Sequence, residues 1–328
     1  MRLRNNIKFA ASTAAAMLIT YSALPQRVTV MPRVEAAPVV VPAVDVHPMI
    51  AAPVPEPRHR DRDYDSDFPA HAEDTITKSY TLAATGRSVV IDNVWGSVHV
   101  IGTSSDEVKV TVKETFRGET EARIAQARKD VKLDITQQEN ALKLYVDGPF
   151  RCHDCDGGCD HEPLGYMVQM EFEVQIPTTT NLTVKTVNDG DVTVRNVKGD
   201  YVVRNVNGGV EMTDIAGSGM AKTVNGEVRV KFRENPTGNS SFSTVNGEVD
   251  LTFLPRLSAD MRFKTFHGEI LSDFQMAALP ARQPSSEHNS GKFIFRADRF
   301  AGGRVGAGGP EIKVETLNGD IHILERHD

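Results

Sequence analysis

The sequence predicts an all-β chain wound as a single-stranded β-solenoid (β-helix) of about 18–21-residue coils, with one short helix and a Cys-rich loop insert. Three observations carry that expectation. First, KTVNGEVRV (Lys222–Val230) recurs as STVNGEVDL (Ser243–Leu251), KTFHGEILS (Lys264–Ser272) and ETLNGDIHI (Glu315–Ile323). RNVNGGVEM (Arg204–Met212) and KTVNDGDVTV (Lys185–Val194) stand upstream, and DNVWGSVHV (Asp92–Val100) is an isolated earlier copy. Second, Gly208, Gly226, Gly247 and Gly268 lie 18, 21 and 21 positions apart, one supersecondary unit per coil. Third, half-coil echoes stand between the copies, at Asn196–Val202 and Asp214–Met220. Strands in stacked coils lie about 4.8 Å apart, so equivalent residues form columns.

The rival architecture is an antiparallel meander, because Asn-Gly is also the best two-residue hairpin turn. As a hairpin, Asn225-Gly226 would send Val224 and Val228 to opposite faces in every copy. A solenoid corner lets both point inward. One apolar column is therefore expected from Val187, Val206, Val224, Val245, Phe266 and Leu317, and a second from Val192, Val210, Val228, Val249, Ile270 and Ile321. Asn188, Asn207, Asn225, Asn246 and Asn318 are expected to form an amide ladder at the corner. Gly208, Gly226, Gly247, Gly268 and Gly319 supply the positive φ that the turn needs.

Taken from the N-terminus, residues 1–24 read as a signal peptide or signal anchor. Arg2, Arg4 and Lys8 precede an uncharged run from Phe9 to Leu24, shorter than the ~20 residues of a spanning helix. Residues 25–73 are dense in Pro, Ala and Val and then in mixed charge, the composition of a disordered, extended linker. The folded domain is expected over 74–328, with an N-terminal part (74–180) and the NG-turn repeats (181–328). Strands are predicted at Ser88–Asp92, Ser97–Ile101, Val108–Thr115, Lys132–Thr136, Ala141–Val146 and Met167–Ile176. Ile124, Ala127 and Val131 give Glu119–Val131 a helical stripe, and the helix is expected to cap or flank an end of the stack. GGRVGAGGP (Gly302–Pro310) reads as a mobile loop, since a strand follows it where a phosphate site requires a helix. The last coil is expected to leave a strand edge open near the C-terminus, which invites self-association.

The three cysteines fall in one loop, 151–163. Cys152, Cys155, Cys159 and His161 have the donor types and spacing of a tetrahedral zinc set. An intraloop disulfide with a spare thiol is the competing reading for an exported chain. Zinc there is the one cofactor the sequence admits. Glu227, Glu248, Glu269, Asp320 and Asp191 follow the corner glycines as an acidic row, read as a solvated edge that Arg204, Lys222 and Lys264 can neutralise. Trp95 occupies a corner position. A nucleophile elbow, a P-loop and H-E-x-x-H are all absent, so the sequence predicts no catalytic residues and no enzyme. A net charge of −7 without a basic run argues against nucleic acid.

The T-V-N-G-x-V repeats, the strand–helix–strand unit before them and the closing GAGGPEIKVETLNGDIHI (Gly306–Ile323) resemble the bacterial "putative adhesin" family of unknown function, over about Asp74 to Leu324. The resemblance implies a β-solenoid in an exported or envelope protein, and it transfers no catalytic residues. The cysteine insert departs from that pattern. The expected function is a non-catalytic cell-envelope scaffold, periplasmic or on the surface, that binds a protein or glycan. Membrane contact is expected only through an uncleaved N-terminal segment. A metal- or redox-responsive sensor at the cysteines and a polysaccharide-active enzyme are the alternatives.

Overall fold

A computed structural model describes residues 68–151, 164–280, 285–289, 292–296 and 300–327. The stretch read as a signal peptide or anchor (1–24), nearly all of that read as a linker (25–67), and Cys152, Cys155, Cys159 and His161 lie outside the described residues. The chain begins with β1 (Ala70–Thr81), β2 (Ser88–Asp92), β3 (Val98–Thr103) and β4 (Glu107–Gly118), followed by the helix α1 (Glu121–Asp130). Next come β5 (Lys132–Gln137), β6 (Ala141–Asp147) and β7 (Tyr166–Pro177). Then β8 (Asn181–Lys185), β10 (Tyr201–Arg204), β12 (Gly219–Lys222) and β14 (Ser240–Ser243) alternate with β9 (Val192–Arg195), β11 (Val210–Ile215), β13 (Val228–Phe232) and β15 (Val249–Phe253). β16 (Ala259–Lys264) and β17 (Ile270–Ser272) make one more coil. β18 (Ala277–Leu279), the hairpin β19 (Ser285–Asn289)–β20 (Lys292–Arg296) and β21 (Ala301–Val305) follow, and β22 (Glu311–Glu315) and β23 (Ile321–Glu325) close the chain.

From β6 to β17 consecutive strands alternate between two sheets and pair in parallel with their counterparts in neighbouring coils. That arrangement is the solenoid and excludes the meander. The first sheet runs β1-β4-β7-β3-β9-β11-β13-β15-β23-β17, and the second runs β18-β21-β16-β22-β14-β12-β10-β8-β2-β6-β5. Inward rows fill the space between them. Val98, Val192, Val210, Val228, Val249 and Ile321 are all at most 1% exposed. On the facing sheet Ile91, Val184, Val203, Ala221, Phe242 and Val314 are fully buried. Phe232 stacks on Phe253 at 4.9 Å, and Phe242 meets Phe232 edge-on at 6.1 Å. Each such side chain contributes about 1.5–3 kcal/mol relative to exposure.

The N-terminal part follows the predicted elements closely. Thr120 caps α1 by accepting from the Arg123 amide, and the helix buries Ile124 and Ala127 against β4, β1 and β7. β4 and β5 add antiparallel strands outside β7 and β6, so α1 spans one end of the stack. β1 is a strand beyond those predicted and begins at Ala70, inside the stretch read as linker. Its alternation is polar on one side and only half-buried on the other, which leaves little apolar signal. Gly302–Val305 belong to β21, antiparallel to β16, which corrects the loop reading of that glycine-rich run. The glycines there let Met276 and the Arg262 guanidinium pass close to the backbone.

The coil order departs from sequence order at one point. β22 lies between β14 and β16, and β23 lies between β15 and β17. The C-terminal coil is thus inserted between two earlier ones, and the 21-residue step from Gly247 to Gly268 is not a step between stacked neighbours. At the end of the stack away from β1, the edge of the first sheet is consequently β17, not the last coil of the chain. Among the described residues no helix is long and apolar enough to cross a membrane.

Candidate functional site

The repeated T-V-N-G corner is the feature the whole fold positions, and each of its residues has a separate task. The threonine points inward. Thr186, Thr223, Thr244 and Thr316 are 2–4% exposed. Their hydroxyls donate to the carbonyls of Gly96, Gly208, Gly226 and Gly247 in the adjacent coil, at 3.0, 2.7, 2.8 and 3.0 Å. Asn205 does the same with its side-chain amide, to Gly190 at 3.0 Å, and the Asn93 amide donates to Met170 of the adjacent coil at 2.9 Å and to Gly96 of its own corner at 3.1 Å. A corner carbonyl that has left the sheet ladder is thereby satisfied inside the protein.

This placement corrects the expected first apolar column. Because Thr223 takes the interior, Val224 faces out, and so does its counterpart in each coil. Val224 and Val245 are 37% exposed, Leu317 45% and Phe266 73%, while Val187 and Val206 are half-buried. Along the stack the order is Val94, Val187, Val206, Val224, Val245, Leu317, Phe266, an apolar ridge on the outside of the corner. Six steps of the strand spacing make it about 29 Å long. The second column is inward as expected, except that Ile270 on the end coil is 39% exposed.

The asparagines form a continuous ladder beside the ridge. Asn207 donates to Asn188, Asn225 to Asn207, Asn246 to Asn225 and Asn318 to Asn246, each at 2.7 Å. His267 Nδ1 lies 3.0 Å from Asn318 Oδ1, so the imidazole continues the series where Asn is missing. Trp95 pairs with Asn188 at the other end and meets Phe150 edge-on at 4.9 Å. Gly208, Gly226, Gly247, Gly268 and Gly319 all have φ between 146° and 157°.

On the outer face of the first sheet the acidic row is not neutralised by the predicted cations. Lys264 pairs with Glu315 on the second sheet. Asp191 and Asp320 accept the amides of Gly209 and Glu269 in the next coil, at 2.7 and 2.8 Å. Glu227 pairs with Arg229, whose Nε also reaches Asp250 at 3.2 Å and is held protonated more firmly by that bond. His322 Nδ1 lies 2.6 Å from Asp250 Oδ1. A shallow furrow of about 360 Å³ opens beside Gly209, between Asp191, Glu211, Glu227 and Arg229. Asp250 and His322 were not singled out from the sequence. Their adjacency depends on the inserted coil, which no sequence spacing announces.

At the foot of the Cys-rich loop, Arg151 pairs with Asp92 at 2.9 Å and lies 4.2 Å over the Tyr145 ring.

Residues 173–324 match the family model described as Toastrack DUF4097. No curated protein matches the sequence significantly. A structure of a "putative cell adhesion protein" from Clostridium sporogenes ATCC 15579 is 9% identical with a TM-score of 0.38, covering 78% of this chain and 100% of that one. A "putative adhesin" from Bacteroides fragilis NCTC 9343 is 12% identical with a TM-score of 0.35, covering 77% and 97%. A "putative lipid binding protein" from Parabacteroides distasonis ATCC 8503 is 8% identical with a TM-score of 0.23, covering 76% and 97%.

Proposed function

We propose that the chain, whose residues 173–324 match the Toastrack DUF4097 family model, is a non-catalytic, adhesin-like binding scaffold that acts through the corner ridge and its amide ladder. The observation that supports this reading most directly is the outward Val-Val-Leu-Phe series, Val224, Val245, Leu317 and Phe266. A solenoid needs the inward threonines, the asparagines and the glycines to turn its corner. It does not need branched or aromatic apolar groups on the wet side. A long apolar stripe with a polar ladder beside it has the anatomy of a recognition surface, with anchors in the middle and hydrogen-bonding groups at the rim. The ligand class is a protein or glycan of the cell envelope. Export rests on the N-terminal leader, Arg2, Arg4 and Lys8 ahead of Phe9–Leu24.

The test is binding of the fluorescently labelled chain to intact cells and to purified envelope fractions. A triple variant, Val224→Ser, Val245→Ser and Leu317→Ser, is expected to lose at least about tenfold in binding, as truncating central contacts does. Its melting temperature should stay close to that of the parent, because the three groups are already exposed. Equal binding by the triple variant would remove the ridge from the argument. Turnover of an envelope glycan, abolished by Glu227→Gln or Glu248→Gln, would replace the scaffold reading with an enzymatic one.

A further inference from the structure

We propose that Glu248, Asp250 and His322 bind one divalent first-row transition metal ion, with Zn²⁺ as the probe, on the outer face of the first sheet. Three features of the fold support the site. The first is register. β15 and β23 are paired so that Asp250 stands directly opposite His322, and Glu248 is two residues before Asp250 on the same face. One donor atom from each of the three lies within 4.8 Å of the others, close to the separation of about 4.2 Å that is the most two ligands of one ion can have.

The second feature is the donor set. An imidazole nitrogen with two carboxylate oxygens suits zinc and its neighbours. Calcium and magnesium take oxygen alone. At the equivalent positions the other coils carry Glu171 and Glu173, Ser97 and His99, Asp191 and Thr193, Gly209 and Glu211, Glu227 and Arg229, or Glu269 and Leu271. Among the described residues, an imidazole meets two carboxylates at this place and nowhere else.

Charge is the third feature. Asp320 is the cross-strand neighbour of Glu248 and adds a carboxylate beside the trio, with one oxygen held by the Glu269 amide. The nearby cation, Arg229, is shared between Glu227 and Asp250 and does not balance the group.

The plain alternative is a metal-free hydrogen bond between His322 and Asp250, at 2.6 Å. Two donors on one tetrahedral ion, each about 2.0–2.2 Å from it, stand roughly 3.4 Å apart. The pair therefore has to open by about 0.8 Å to admit the metal, a movement within reach of side-chain rotation. The side chains of His322 and Asp250 are 24% and 22% exposed, so water can complete the coordination sphere. A bound ion would tie β15 to the inserted strand β23.

The experiment is calorimetric titration of the tag-free full chain with ZnCl₂, after alkylation of its thiols so that the cysteine loop cannot compete. One Zn²⁺ per chain is expected, together with a rise in melting temperature. His322→Gln and Glu248→Gln should each weaken binding by about tenfold or more, at least the loss that removing an outer-shell partner causes. His99→Gln removes an exposed histidine from the same outer face and should bind zinc like the parent. Circular dichroism confirms that each variant is folded. The proposal is overturned if the parent takes up no zinc, if both site variants bind as it does, or if His99→Gln loses as much as His322→Gln.

Discussion

Glu114 shows how one side chain can work against the core it belongs to. It continues the inward row of β4 after Val108, Val110 and Val112, which are at most 1% exposed, and it lies across from Asp74 in the register of β1. Burial, and then the Asp74 charge, raise its pKa above the usual carboxylate value, with Arg128 opposing. A raised folded-state pKa means that the folded chain holds this proton more tightly than the unfolded one. Stability is therefore lost as pH rises through the interval from the unfolded pKa to the folded one, and the loss persists at neutral pH. Glu114→Gln should melt higher than the parent at pH 7, and the difference should vanish below the carboxylate range. A series of melting curves across pH checks both halves. At the same scale, the inward Val228 row was legible from its spacing, whereas the outward turn of Val224 was not. Hydrophobicity argues that every valine seeks the interior. Only the hydrogen-bond requirement of a corner carbonyl explains why Thr223 displaces it.

Among the elements, the corners are the least forgiving. At Gly247 φ is 149°, and a Cβ would sit 2.1 Å from the Gly226 carbonyl oxygen. Both partners are backbone, so no rotamer change relieves the contact. Gly247→Ala should cost about 3 kcal/mol or more, at the far end of what single substitutions do. Gly86 has φ 66° but open space, with Asn140 Nδ2 at 3.6 Å, so Gly86→Ala should cost only about 1–2 kcal/mol. Urea unfolding of the two variants separates steric exclusion from conformational preference. The strand and helix positions of the N-terminal part could be read directly, because Thr120, Ile124, Ala127 and the alternating runs carry local signals. β1 and β21 could not. β1 pairs through its backbone with few buried side chains, and β21 owes its place to glycines that admit neighbouring groups.

For the molecule as a whole, the two ends are finished differently. One is spanned by α1 and the antiparallel strands β4 and β5. At the other, β21 and β18 extend the second sheet while the first sheet stops at β17, where Ile270 and Leu271 are 39% and 49% exposed. Repetition made the stack legible, but the order of its members was not, since every T-V-N-G copy offers the same edges to its neighbours. The inserted coil carries the largest expected effect. Deleting 311–328 removes the strands that join β14–β15 to β16–β17. Hydrogen exchange should then show lost protection over 259–272, with that of 88–103 retained, as expected where each coil depends on its immediate neighbours.

That insertion also sets a timetable. A ribosome delivers β16 and β17 before it delivers β22 and β23, yet the earlier pair has no berth until the later pair arrives. The growing polypeptide must keep a vacancy beside β14 and β15 and resist docking the wrong ribbon there. The final two strands thus serve as a keystone, and a chain cut short by premature termination or a protease declares itself by failing to close.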